Sequence, residues 1–279
     1  MTAEQAATRP LLVELLTEEL PPKALQKLGL AFADGIRKVL AQHHLVAQDS
    51  SPIDYSTPRR LAVRLDGVLA QAPAQAFTEK LMPAKIGLTE SGDISPALAK
   101  KLASKGLAHL TASDLVRESD GKQDYLYAHG TATGRMLADG LQEALDYAIG
   151  NLPIPKVMHY QLDDGVTTVK FVRPAHGLVA LWGSDVIPVS GLGLDAGRST
   201  LGHRFMSDQP IAVQSADTYE TQLEQEGKVL ASFTARRTLI ARQLQAQSQS
   251  LNATIGDDPD VTALLDEVTA LVEHPTVYV

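Results

Sequence analysis

The run Leu11-Leu12-Val13-Glu14-Leu15-Leu16 sets one carboxylate in the middle of an otherwise apolar strand signal. An apolar run this short reads as a buried strand. A carboxylate left alone inside it would cost stability, so the fold has to bring a cation to Glu14. Arg59, Arg60 and Arg173 are the candidates for that partner. Whichever arginine meets it becomes a structural residue.

The surrounding sequence spells out the elements that could do this. Pro21-Pro22 opens a helix, because proline is tolerated in a first helical turn. Leu25, Leu28, Phe32, Ile36, Val39 and Leu40 then recur at three-to-four spacing and define one apolar face. After a turn at Asp49-Ser50-Ser51-Pro52 comes a short strand ending in Thr57-Pro58-Arg59-Arg60. Leu61, Val63 and Leu65 next alternate with Ala62, Arg64 and Asp66, which predicts a half-buried strand. Further on, Ser95-Pro96 opens a helix running to Lys105 and stopped by Gly106, and Asp124–Gly130 reads as a strand with Tyr125 and Tyr127 on one side. Leu137, Leu141, Ala144, Leu145 and Ala148 form a second helical stripe. Leu152-Pro153-Ile154-Pro155-Lys156 is too proline-rich for a regular element. Thr167–Val172 alternates as a strand, and Leu178–Trp182 and Val186–Ser190 flank a tight turn at Gly183-Ser184-Asp185.

From about Asp217 the pattern is helical. Ser232 caps one helix running to about Gln249, and Asp257-Asp258-Pro259 opens another through Val272, with Val261, Leu264, Leu265, Val268 and Leu271 facing one way. Mixed strands and helices without regular alternation predict an α+β fold with a mixed or antiparallel sheet and flanking helices. The expected division is a disordered tail over residues 1–10, an α+β body over 11–215 and a mostly helical segment over 216–279. Thr276–Val279 reads as a strand-like stub interrupted mid-element.

Composition narrows the function. The 279 residues include no cysteine, which removes disulfides, thiolate catalysis and cysteine-ligated zinc and fits the cytoplasm. No apolar run approaches a membrane span, and the polar first nine residues lack the apolar core of a secretory leader. A net charge of −8 argues against an indiscriminate nucleic-acid binder, whereas local basic clusters such as Arg59-Arg60 leave selective binding open.

No catalytic motif is present. His176 and His203 lack a second ligand at metal spacing, Gly191-Leu192-Gly193 is not followed by the helix of a dinucleotide site, and no serine occupies a nucleophile elbow. Glu14, Glu18 and Glu19 form either an acid/base cluster or a negative helix start. Three short segments, Thr57-Pro58-Arg59-Arg60, Phe171-Val172-Arg173-Pro174 and Gly202-His203-Arg204-Phe205, place arginines where the backbone leaves a regular element. A guanidinium fork fixed there suits phosphate or carboxylate, so each arginine either binds phosphate or pairs with one of the glutamates. Arg236, Arg237 and Arg242 read as a solvated helix face.

These segments, with Thr17-Glu18-Glu19-Leu20-Pro21-Pro22, Leu152–Met158 and Leu271-Val272-Glu273, resemble the β subunit of bacterial glycyl-tRNA synthetase from about Leu11 onward. The chain departs from the family pattern at Met158-His159-Tyr160-Gln161, at Leu81-Met82-Pro83 and at Gly177, and two arginines usual in the family are absent. The resemblance implies the N-terminal part of that subunit, an editing-type module like that of the phenylalanyl enzyme's β subunit. Its expected partners are tRNA-Gly, an α subunit carrying the active site with its ATP and magnesium, and a second β chain within a heterotetramer. This portion by itself is expected to be catalytically inactive, with no cofactor and no metal. The residues expected to grip the acceptor arm are Arg59, Arg60, Lys156, Arg173, His203 and Arg204. Two other readings compete with this one. One is a scaffold that docks the α subunit through an apolar patch without touching RNA. The other is a hydrolase using Glu18 with His176 or His203.

Overall fold

Leu11–Leu16 lie at the centre of the main sheet, in strand β1 (Thr8–Thr17). The computed structural model describes residues 7–119, 121–162, 164–256 and 258–278, so part of the expected tail, Asp257 and Val279 lie outside the described residues. Thr8–Pro10, expected in the tail, belong to the strand. Helix α1 (Pro22–Gln42) follows, then β2 (Ile53–Thr57) and β3 (Arg60–Leu69). All six apolar residues of the stripe in α1 are buried.

The chain then enters a unit of its own over residues 72–134, while 1–71 and 135–279 form the other. The smaller unit contains β4 (Gln75–Pro83), a single turn α2 (Ala84–Gly87), α3 (Pro96–Ser104), β5 (Leu115–Ser119) and β6 (Asp124–Ala132). Its antiparallel sheet runs β4-β6-β5. Leu126 and Ala128 of β6 pack with Leu81, Ala84, Leu98 and Leu102 in its core. Tyr125 and Tyr127 share the other face, with the Lys80 ammonium 3.6 and 6.0 Å from their ring centres. Ser95 caps α3 through Leu98 N–H, and Gly106 follows it at φ +72°, as the sequence predicts.

The larger unit resumes with α4 (Leu137–Gly150), β7 (Met158–Gln161), β8 (Thr168–Phe171) and β9 (Ala175–Trp182). Short strands follow: β10 (Asp185–Val186), β11 (Ser190–Gly191), β12 (Leu194–Asp195), β13 (Ser199–Leu201) and β14 (Pro210–Ala212). The chain ends in α5 (Tyr219–Gln225), α6 (Phe233–Ser250) and α7 (Pro259–Thr269). The main sheet has the order β10-β9-β1-β3-β2, with every pairing antiparallel. Together with the helices this is the expected α+β fold.

Register explains the burial. Val13 pairs with Val63 and Leu15 with Leu61, and Leu61 pairs with Ser56. That face receives α1, because a Cβ on Gly29 would stand 2.7 Å from the Ser56 Cβ. Leu12, Tyr55, Ala62, Val179 and Leu181 occupy the opposite face, packed with Ile211, Val213, Tyr219 and Leu223. With both faces covered, β3 is buried through most of its first half rather than half-buried as its alternation suggests. Likewise only Val186 of the expected second hairpin strand pairs with β9, joined by Asp185 from the expected turn, in which Gly183 adopts φ +61°.

The helical tail beyond 215 groups with the sheet rather than standing apart, because Tyr219 and Glu273 reach into the sheet's polar interior. Arg236 also departs from the expected solvated face. It is fully buried at the start of α6, donating to the carbonyls of Ser56 (2.6 Å), Leu230 (2.7 Å) and Ala231 (3.1 Å). Burial pushes its guanidinium down to about 10, with Glu273 partly offsetting it. Arg237 pairs with Asp266, and Arg242 is exposed. Among the described residues no helix is long and apolar enough to cross a membrane.

Phe32 is fully buried where α1 meets the sheet. Phe32→Ala is expected to cost about 3–5 kcal/mol, read as a lower urea midpoint.

Candidate functional site

The partner of Glu14 is Arg60. Arg60 opens β3 opposite Leu16, and its Nη1 donates to Glu14 Oε2 at 3.1 Å with both side chains almost wholly buried. Further groups close around the pair. Thr200 and Tyr219 hydroxyls donate to the two Glu14 oxygens, while Arg60 Nη2 donates to Leu201 O at 2.7 Å and Nε to Thr57 Oγ1 at 3.3 Å. Burial by itself would lower the Arg60 guanidinium, but Glu14 foremost, then Tyr219 and Glu273, hold it above its ordinary value. Burial, reinforced by Glu14, raises the Tyr219 phenol well above its ordinary value, so it stays protonated and donates.

Glu273 supplies the second carboxylate. It accepts from Thr57 Oγ1 at 2.8 Å and from Arg59 Nη2 at 3.1 Å, and lies 3.8 Å from Arg60 Nη2. Arg59 Nη2 also donates to Gly202 O at 2.8 Å. Arg59 and Arg60 thus make the glutamate pairing, the second of the two roles open to them in the sequence, and Arg59 in addition walls the recess described below. Arg60 has no surface to offer a phosphate, and the guanidinium of Arg59 is held by Glu273 and a carbonyl.

Outside this interior the motifs converge. Thr17 N–H donates to Arg59 O, Leu20 N–H to Pro58 O and Glu18 N–H to Pro174 O, stitching three of the four segments together through the backbone. The fourth, Gly202-His203-Arg204-Phe205, is anchored by His203 N–H on Gly227 O at 2.7 Å. Gly202 is required there, since a Cβ would lie 2.6 Å from the Gly227 backbone. Beyond that anchor the loop is open: Arg204 is exposed and Phe205 is 87% exposed. A recess of about 210 Å³ is walled by Glu19, Arg59, His203, Arg204, Phe205 and His274, with Pro58 and Leu271–Glu273 completing it.

Arg204 is held by two carboxylates, Nη2 to Glu18 at 3.2 Å and Nη1 to Glu19 at 3.0 Å. Desolvation raises the Glu18 carboxyl, and the side chains of Glu19, His176 and Arg204 around it more than offset that, so it lies below its ordinary value. Glu18 and Glu19 precede α1 rather than starting it, so the acidic helix start expected from sequence is instead an ion-pair station. Lys156 is exposed in the irregular segment, and Arg173 is half-buried with Nη1 on Val172 O at 2.8 Å; neither lines the recess.

Glu18 Oε1 does meet His176 Nε2, at 3.1 Å, as the hydrolase reading requires. The same carboxylate is shared with Arg204, and among the described residues no hydroxyl is hydrogen-bonded to His176. A base with no nucleophile hydrogen-bonded to it does not make a catalytic centre. Among the described residues no three His, Asp or Glu side chains gather as a metal site.

Sequence reasoning missed Thr200, Tyr219, His274 and the role of Glu273. A carboxylate in the apolar stretch Leu271-Val272-Glu273 is the same signal that singled out Glu14.

Comparison with known proteins now bears on this arrangement. The family described as glycyl-tRNA synthetase beta subunit matches residues 11–279. The chain belongs to that family. It is 54% identical over 271 residues to the glycine–tRNA ligase beta subunit of Acidovorax ebreus (strain TPSY), covering 96% of this chain and 38% of the relative. It is 49% identical over 274 residues to that of Janthinobacterium sp. (strain Marseille), covering 98% of this chain and 39% of the relative. The chain thus spans about two-fifths of the length of these glycyl-tRNA synthetase β subunits.

Two outcomes follow from the buried network. Arg60→Met leaves Glu14 without its cation and is expected to cost about 3–5 kcal/mol in urea unfolding. Burial raises the Glu273 carboxyl, but Arg60, then Arg59 and Thr57, hold it below its ordinary value. The folded value therefore lies below the unfolded one, about 4.3, so the stability it lends is complete above that pH and lost as pH falls through the folded value. Unfolding midpoints across an acid series are expected to drop for the native chain and to flatten for Glu273→Gln.

Proposed function

We propose that this chain is the tRNA-gripping N-terminal portion of a glycyl-tRNA synthetase β subunit, serving ATP-dependent aminoacylation carried out by an α subunit. In this reading the chain contributes no catalytic residue. The α subunit holds ATP and magnesium, and two β chains join two α chains in a cytoplasmic heterotetramer. The observation that carries the reading is that the Glu18-Glu19, Pro58-Arg59, His203-Arg204-Phe205 and Leu271–Glu273 segments meet at one open recess, with Arg204, His203 and Phe205 among its walls. The acceptor arm is a double-stranded RNA helix, which proteins grip by shape, backbone phosphates and 2′-hydroxyls more than by base edges. Arg204 serves this by exchanging a carboxylate for a phosphate, and Lys156 and Arg173 are further cations outside the recess. A net charge of −8 keeps such binding selective, because RNA is attracted only where those cations face it.

A second reading, docking of the α subunit, is favoured by a separate observation. Leu264 and Leu265 of α7 and Leu244 of α6 line an apolar groove of about 610 Å³, together with Ile255 and Val277, and Leu264 is 61% exposed. Exposed apolar surface of this kind marks interaction sites. The two readings assign different surfaces and are compatible.

Binding of the chain to tRNA-Gly and to a non-cognate tRNA over a salt series tests the first. Cognate-preferring binding that weakens steeply with salt is the expected result, and Arg204→Glu is expected to weaken it about tenfold and lower the salt slope by about one. Unchanged affinity and slope in a folded Arg204→Glu chain would remove Arg204 from the interface.

A further inference from the structure

Two carboxylates share one guanidinium beside the recess. Arg204 Nη2 lies 3.2 Å from Glu18 Oε2, and its Nη1 lies 3.0 Å from Glu19 Oε1. With His176 neutral, this group holds a surplus of negative charge, in a chain whose net charge is already −8. A phosphate drawn to Arg204 therefore meets an occupied guanidinium and a charge of its own sign. The two carboxylates are not held alike. Glu18 Oε1 also meets His176 Nε2 at 3.1 Å, and the Glu18 backbone N–H donates to Pro174 O at 2.9 Å. Glu19 has Arg204 as its only ion-pair partner among the described residues, and its side chain is 56% exposed against 38% for Glu18.

We propose that Glu19 is the releasable partner of Arg204: RNA binds by displacing it with a backbone phosphate, while Glu18, itself fixed by His176, keeps its hold on the guanidinium. The proposal rests on the tRNA-binding reading above and adds what regulates the same site. The exchange replaces one charge-assisted N–H···O⁻ contact by another, so Arg204 keeps a counter-charge on both nitrogens throughout. What RNA must overcome is the parting of Glu19 and the repulsion of the carboxylates, and only contacts made elsewhere on the surface offset these. A polyanion that reaches Arg204 alone gains nothing by the exchange. Glu19 thereby makes binding conditional on a wider fit, a specificity device built from an unfavourable contact. Anchoring of the loop does not account for the second carboxylate. The loop's base is already fixed by His203 N–H on Gly227 O at 2.7 Å, and an ion pair this exposed adds little to stability.

The test measures binding of tRNA-Gly to the native 279-residue chain, to Glu19→Gln, to Arg204→Met and to the double variant, with melting temperatures alongside. Salt is held at about 0.15 M, where exposed charges beyond roughly 8 Å are largely screened. Glu19→Gln is expected to bind about three- to fivefold more tightly than the native chain, the size of one exposed ion pair, at an unchanged melting temperature. In the Arg204→Met background the same substitution is expected to change affinity by less than about twofold. Tightening of equal size in both backgrounds is plain repulsion of the RNA and overturns the release of Arg204. Unchanged or weaker binding by Glu19→Gln, while the native chain binds, assigns the pair to holding the loop; it overturns the proposal and leaves the tRNA reading standing. Absence of binding by both the native chain and Glu19→Gln overturns both.

Discussion

The buried pair of Glu14 and Arg60 is the interaction on which the rest of the larger unit depends. Taking a carboxylate and a guanidinium out of water costs several kcal/mol each, and their attraction offsets this only when the remaining hydrogen-bonding capacity is satisfied. Here the partners come from five places in the chain: β1, the end of β2, β13, α5 and the segment after α7. Each of those elements is therefore held to the sheet by a group it must keep buried. Loss of Arg60 strands the Glu14 charge and loss of a hydroxyl leaves the buried pair short of a hydrogen bond, which makes the network a statement about specificity of packing as much as about stability.

The same pair also displays the surface to which the proposed function is assigned. Arg60 holds the carbonyl of Leu201 and Arg59 that of Gly202, the two residues that lead into the Arg204 loop. Gly202 then passes against Gly227 with no room for a side chain. The arginines of Thr57-Pro58-Arg59-Arg60 thus act from inside, fixing the backbone from which Arg204 and Phe205 project. Arg60, wholly buried against Glu14, has no surface to offer a ligand, whereas Arg59, bound to Glu273 and Gly202 O through Nη2, also walls the recess.

Much of this was legible in the sequence, and the illegible part has a consistent cause. The stripe of α1, the strand–helix–strand–strand opening and the capped α3 and α6 follow from local periodicity and capping chemistry, which are short-range. That Glu14 needs a cation was also readable. Which of Arg59, Arg60 and Arg173 would provide it was not, because the choice is made by Thr200, Tyr219 and Glu273, residues that only the folded chain brings near position 14. Arg236 was misplaced for the same reason: its helix looks polar all round, and only the approach of Ser56 and Leu230 buries it. The unit at 72–134 left no compositional break at either end, since its own small core is spaced like any other.

The central claim is that the interior arginines hold the fold while the Arg204–Phe205 loop meets RNA. Hydrogen–deuterium exchange of the chain with and without tRNA-Gly addresses it directly. The account predicts protection of amides in 203–207 on binding, with those of Arg60–Leu65 already slow and unchanged. Protection confined to the α6–α7 groove, with the loop unaffected, would contradict it.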